Sequence, residues 1–87
     1  MGLDSVELVL SVEDHWEIEI PDRVAETLVT VGALHAFVVT ELKRLGRNPV
    51  DPEAIFEELR DLITEQLGIK PERVVPEANF VRDLHID

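Results

Sequence analysis

Between Pro52 and Gly68 the apolar residues Ile55, Phe56, Leu59, Leu62, Ile63 and Leu67 recur three and four apart, which places them on one stripe of a helix. An isolated helix of this length is marginal in water, so the stripe has to be covered by the rest of the chain. Both ends are punctuated. Pro49 and Pro52 bracket Asp51, an N-cap residue type followed by a proline suited to the first helical turn, and Gly68 is the residue type that closes a helix. Pro71 and Pro76 forbid a continuous helix beyond it. Residues 69–87 are therefore expected to form a long loop, with Val74, Phe80 and Leu84 available to pin it onto the helices.

The cover for that stripe is sought upstream. In residues 4–16, Leu8, Val9, Val12 and Trp16 recur at helical spacing, Asp4 or Ser5 offers an N-cap and Glu7 lies in the first turn, which predicts a helix of about three turns. Trp16, at an apolar position, is expected in the core. Residues 17–20 alternate in polarity, but Pro21 ends the run and no partner strand is evident, so a loop that buries Ile18 or Ile20 is expected. Residues 22–28 form a short helix, Thr30 is an N-cap, and residues 31–45 form a longer helix closed by Gly46. Its stripe is Leu34, Phe37, Val38, Glu41, Leu42 and Leu45. GRNPV, residues 46–50, then reads as a linker where the chain turns over. The expected fold is all-α, one domain of three long helices plus one short helix across residues 1–87.

Composition narrows the functions open to such a fold. A chain of 87 residues buries only about 60% of its unfolded surface, which leaves little room for a deep active site. Nineteen acidic against eight basic residues give a formal charge of −11, which repels nucleic acid and anionic membranes and points to basic protein surfaces as partners. Cysteine is absent, so disulfides and thiolate chemistry are excluded and a reducing cytoplasm is compatible. The first residues carry no basic leader pattern, and no apolar run approaches the roughly 18 residues that span a bilayer. A soluble cytoplasmic protein is expected.

No catalytic constellation is present: there is no cysteine nucleophile, no Gly-rich phosphate loop and no Ser, His and Asp set that spacing brings together. An enzyme is not expected. His15, His35 and His85 share no metal-ligand spacing, and Asp83 and Asp87 with Asp4 offer at most a loose cluster of carboxylates, so no specific metal site is expected.

Taken in exchanged order, the two halves of the chain resemble the acyl carrier protein family. EELRDLITEQLGIKPERVVPEANFVRDLHID (residues 57–87) is similar to that family's first helix and long loop, ending in a stretch like the one that runs into its Asp-Ser-Leu motif. LDSVELVLSVEDHWEIEIPD (residues 3–22) is similar to the acidic second helix and the Glu-Ile-Pro-Asp loop after it, and TLVTVGALHAFV (residues 27–38) to the third and fourth helices. The resemblance covers nearly the whole chain. It implies a circularly permuted acyl-carrier-like bundle in which residues 1–46 match the second to fourth helices, residues 47–51 join the original termini and residues 52–87 match the first helix and loop. Termini of domains often lie close together, so such an exchange is physically reasonable. If Asp87 and Met1 could not approach without strain, the halves would pair between chains as a swapped dimer; otherwise the protein is a monomer.

The resemblance also implies a cofactor, 4′-phosphopantetheine, held on the serine of the motif and carrying the acyl group. Aligned without gaps, Asp87 falls on the motif's aspartate, Leu3 on its leucine, and Gly2 or Met1 where the serine is expected. Gly2 has no hydroxyl. Ser5 follows Asp4 in GLDS and is the competing attachment residue, but using it shifts VELV and IPD by three residues against the family pattern. Partner enzymes, whether acyl-transfer and synthase enzymes or a phosphopantetheinyl transferase, would grip the acidic helix through Asp4, Glu7, Glu13 and Asp14. Val9, Val12, Ile20, Leu28, Leu34, Phe37 and Phe80 would line the cavity that shelters an acyl chain. The alternative is an interaction or scaffold domain that keeps the fold and has lost the arm.

Overall fold

The computed structural model describes residues 3–86 and is all-α, with four helices: α1 (Leu3–Trp16), α2 (Asp22–Ala25), α3 (Val31–Arg44) and α4 (Pro52–Leu67). α4 is the centre of the packing. Its stripe is sunk between α1 and α3, both of which pack against it, and Leu59 and Ile63 are 0% exposed. Leu8, Val12 and Trp16 meet it from α1, and Val31, Leu34, Val38 and Leu42 from α3, in one continuous apolar core that draws on both halves of the chain. Ser11 Oγ donates to Gln66 Oε1 at 2.5 Å and His15 Nε2 lies 3.0 Å from Glu58 Oε1, so polar contacts hold α1 to α4 at the edge of that core.

The ends of α4 follow from its punctuation. Asp51 accepts a hydrogen bond from the Glu53 amide at 3.1 Å, and Gly68 adopts the left-handed conformation, φ 67°, while its amide bonds the Thr64 carbonyl. For α3 the cap is shared. Thr30 Oγ1 accepts from the Ala33 amide at 3.1 Å, and the loop after α4 supplies two backbone carbonyls: Ala78 accepts from the Val31 amide at 3.0 Å and Pro76 from the Gly32 amide at 2.9 Å. This approach is why position 32 is glycine, since a Cβ there would lie 2.9 Å from the Pro76 oxygen. An isolated antiparallel bridge between Thr30 and Asn79 continues the seam.

The linker is also tied down. The Arg47 guanidinium donates to the carbonyls of Trp16 and Glu17, the latter at 2.6 Å, and so caps the C-terminal end of α1, where Glu17 turns the chain with φ 52°. His35 Nε2–H donates to the Pro52 carbonyl at 2.8 Å, which fixes the start of α4 against α3.

Several expectations are corrected. α1 already includes Leu3, so Asp4 and Ser5 occupy its first turn instead of capping it. The short helix ends at Ala25, three residues before the expected Leu28, because the Thr27 and Leu28 amides bond carbonyls only three residues back and tighten the chain into a turn. α3 ends at Arg44, with Leu45 exposed just beyond the last turn and Gly46 left-handed after it, so Leu45 is not part of the buried stripe. The long loop holds a single 3₁₀ turn, Pro71–Arg73, for which Pro71 presets the first residue. Ile18 and Ile20 are both buried, as are Val74, Phe80 and Leu84. The Met1, Gly2 and Asp87 positions, on which the meeting of the two ends was expected, lie outside the described residues.

If α4 is the centre of the packing, Leu59→Ala should cost about 2–5 kcal/mol, the usual range for a buried leucine, against about 1 kcal/mol for loss of the cap in Thr30→Ala. Urea denaturation measures both. A Leu59→Ala cost no larger than the cap's would show that the core is centred elsewhere.

Candidate functional site

α1 separates its faces by register. Leu8, Val12 and Trp16 point into the core, while Glu7 and Asp14 are exposed on the other side together with Val6 and the 57% exposed Leu10; Asp4, one turn before Leu8 on the inward stripe, is exposed at the open end of the helix. The outer face is thus an apolar pair among carboxylates. Glu13 is set apart from the other three expected docking residues: it is half-buried, its Oε2 accepts from the Ile20 amide at 2.7 Å, and its carbonyl accepts from the Ile18 amide at 3.1 Å. That carboxylate fastens the loop following α1, a structural duty the charge pattern did not reveal.

A cavity of about 290 Å³ opens between the start of α1, the turn that links α2 to α3, and the loop around Phe80. Of the residues expected to shelter a chain, Val9, Leu28, Leu34 and Phe80 line it. Val12 and Ile20 do not; they are fully packed core residues, and Phe37 faces a separate cleft beside Ile18, Val24 and Arg44. Helical spacing identifies an apolar face without saying whether its neighbours close over it, which is why core and cavity walls were read together. The remaining walls are Leu8, Ala25, Val29, Val81 and Ile86, with Ser5, Glu26 and Asn79 as the polar ones. Val29 and Val81, 53% and 67% exposed, are hydrophobic residues left in water beside the opening, and no periodicity marks them in the sequence.

The far wall is held by a compact hydrogen-bond set. Asn79 Oδ1 accepts from the Val81 and Arg82 amides at 3.0 and 2.9 Å, and Asp83 Oδ2 accepts from the Asn79 amide at 2.8 Å. The Ile86 amide closes the turn on the Phe80 carbonyl at 2.9 Å, and Arg73 Nη2 donates to the Asp83 carbonyl at 2.5 Å. The Asn79 amide, then Arg82 and His85, hold the Asp83 carboxyl below the usual aspartate range. In the separate cleft, Arg44 grips Glu41 with bonds of 2.7 and 2.8 Å and lowers that carboxyl likewise.

Ser5 lies in the first turn of α1, half-buried on the cavity wall. Leu3 is the first residue of α1, and Gly2 and Asp87 fall outside the described residues. Among the described residues no group of three or more His, Asp or Glu side chains could hold a metal ion, and no helix is long and apolar enough to cross a membrane.

An all-α bundle with an apolar cavity beside an acidic helix is the class of molecule these features define. Over 47 residues the chain is 37% identical to an acyl carrier protein of Cyanidioschyzon merolae (strain NIES-3377 / 10D), a match that covers 54% of this chain and 52% of that protein. The chain thus spans about half the length of the curated relative it matches. No family model and no solved structure matches it.

Because the Asp83 carboxyl is depressed in the folded state, its contribution to stability is present above the ordinary aspartate range and is lost as pH falls through the lower folded value. Asp83→Asn should therefore flatten the acid limb of a stability-against-pH curve, followed by urea midpoints below about pH 4. An acid limb identical to that of the parent would remove Asp83 from this account.

Proposed function

We propose that this chain is an acyl-carrier-like protein whose two halves stand in exchanged order, and that it works unmodified, docking on basic surfaces of acyl-transfer or synthase enzymes while its cavity shelters an apolar chain. The observation that carries this reading is the juxtaposition on α1 of an exposed acidic face, Glu7 and Asp14, with the apolar cavity that Leu8 and Val9 wall on the other side, and of the exposed Asp4 at the end of the same helix. A partner drawn to the face is thereby brought to the helix that bounds the cavity. Partial similarity to an acyl carrier protein and the all-α bundle support the same reading. The linker of residues 47–51, tied to the end of α1 by Arg47, is compatible with its joining what were separate ends.

The phosphopantetheine arm that the relative's family would carry fits these residues poorly. A transferase must reach a serine hydroxyl, yet Ser5 is half-buried in a helical turn against the cavity wall, and Gly2 offers no hydroxyl. That placement favours the unmodified form and the interaction-domain reading alongside it. With both halves contributing to one core within a single chain, we propose a monomer in preference to a swapped dimer.

Incubation with coenzyme A and a phosphopantetheinyl transferase, followed by intact mass, should leave the mass unchanged. A gain of one arm that disappears in Ser5→Ala would restore the covalent carrier and remove the unmodified reading. The docking face is tested separately by the doubly charge-reversed Glu7→Lys, Asp14→Lys chain. Its affinity for the basic surface of such a transferase should fall about tenfold or more, mostly through slower association, and parental binding should weaken as salt is raised. Binding unaffected by both the reversal and salt would exclude this face.

A further inference from the structure

The cavity walls carry an asymmetry of charge. Glu26 is the one charged residue among them, exposed at the rim where α2 ends, and none of the lining residues is Lys, Arg or His. The neighbouring cations are turned to other uses or to solvent: Arg82 is 77% exposed and lies 3.6 Å from the Asp83 carboxylate, and Arg23 on α2 is exposed and outside the lining. A carboxylate arriving at this mouth would meet Glu26, find no counter-charge, and do so on a chain of formal charge −11. The other polar walls, Ser5 and Asn79, are uncharged. Val29 and Val81 extend the apolar lining out to the solvent.

We infer that the cavity selects its occupant by head-group charge: it takes the tail of a short, uncharged amphiphile such as an alcohol, ester or amide, and Glu26 is the specificity residue that turns the free carboxylic acid of the same chain away. This deepens the chain-sheltering reading proposed above and rests on it. The size of the cavity, about 290 Å³, is at the lower end of small-molecule pockets and suits a short tail. Selection here needs no bond to the chain, because the apolar walls supply the attraction and Glu26 supplies the discrimination.

The probes are 1-octanol and octanoate at neutral pH, each titrated into the full chain while backbone amide and methyl shifts are followed by NMR. Octanol should shift Leu28, Val29 and Val81 saturably, and octanoate should bind about fivefold more weakly or worse, the factor a single unit charge at close range exerts in a water-like medium. Glu26→Gln should remove most of that difference by tightening octanoate, and the dispersed amide spectrum of the variant, recorded before the titration, shows that it is folded. Equal affinities in the parent chain, a difference that survives Glu26→Gln, or octanol shifts that map away from the cavity or never saturate would each overturn the inference. A mass gain with coenzyme A would instead refute the unmodified reading and leave the head-group comparison standing, so the two failures are distinguishable.

Discussion

The contact on which the rest of the molecule depends is the burial of the α4 stripe between α1 and α3. Leu59 and Ile63 have no exposed surface, and the helices on either side owe their positions to this shared face. A chain this short has no second core to fall back on and no disulfide to restrain it. Everything that gives the surface its chemistry, the acidic face of α1 and the mouth between α2, α3 and the Phe80 loop, is therefore held in place by one apolar contact between sequence-distant halves.

Hydrogen bonds then make that contact specific. The α3 N-terminus is completed by carbonyls of Pro76 and Ala78, the α1 C-terminus by the Arg47 guanidinium, and the α4 N-terminus is reached by His35. At the first two ends, backbone groups that the helix would otherwise leave orphaned are satisfied by a segment far away in sequence, and at the third the His35 ring adds a donor to the Pro52 carbonyl. Net stabilisation per bond of this kind is modest, about 1 kcal/mol, but leaving such a group buried and unpaired costs more, so the arrangement discriminates against other ways of packing the same stripe.

The parts of the structure legible from the sequence are those governed by local rules. The α4 stripe, the Asp51 and Thr30 caps and the left-handed Gly68 follow from residue type and spacing alone, as does burial of Trp16. Rules of that kind do not reach a site built from three separated segments. Spacing marks Val12 and Val9 as equivalent apolar positions, yet one is sealed in the core and the other walls the cavity together with Ala25, Leu34 and Phe80 from three other segments. Glu13 was likewise indistinguishable from Glu7 in a run of carboxylates until the loop folded back to place the Ile20 amide against it. The rim residues Val29, Val81 and Glu26 carry no pattern at all, and their roles exist only in the assembled fold.

The Phe80 loop ends in Ile86, which is itself a buried wall of the cavity. Hydrogen bonds frame the mouth: Asn79 and Asp83 brace the loop, and the Ile86 amide folds its end onto the Phe80 carbonyl. The same loop belongs to the bundle: Val74, Ala78, Phe80, Leu84 and Ile86 share one apolar core with Leu59 and Ile63, and its Pro76 and Ala78 carbonyls complete the α3 N-terminus. The walls of the cavity are thus made by the residues that stabilise the bundle, so a substitution that loosens the core also deforms the opening beside the acidic helix.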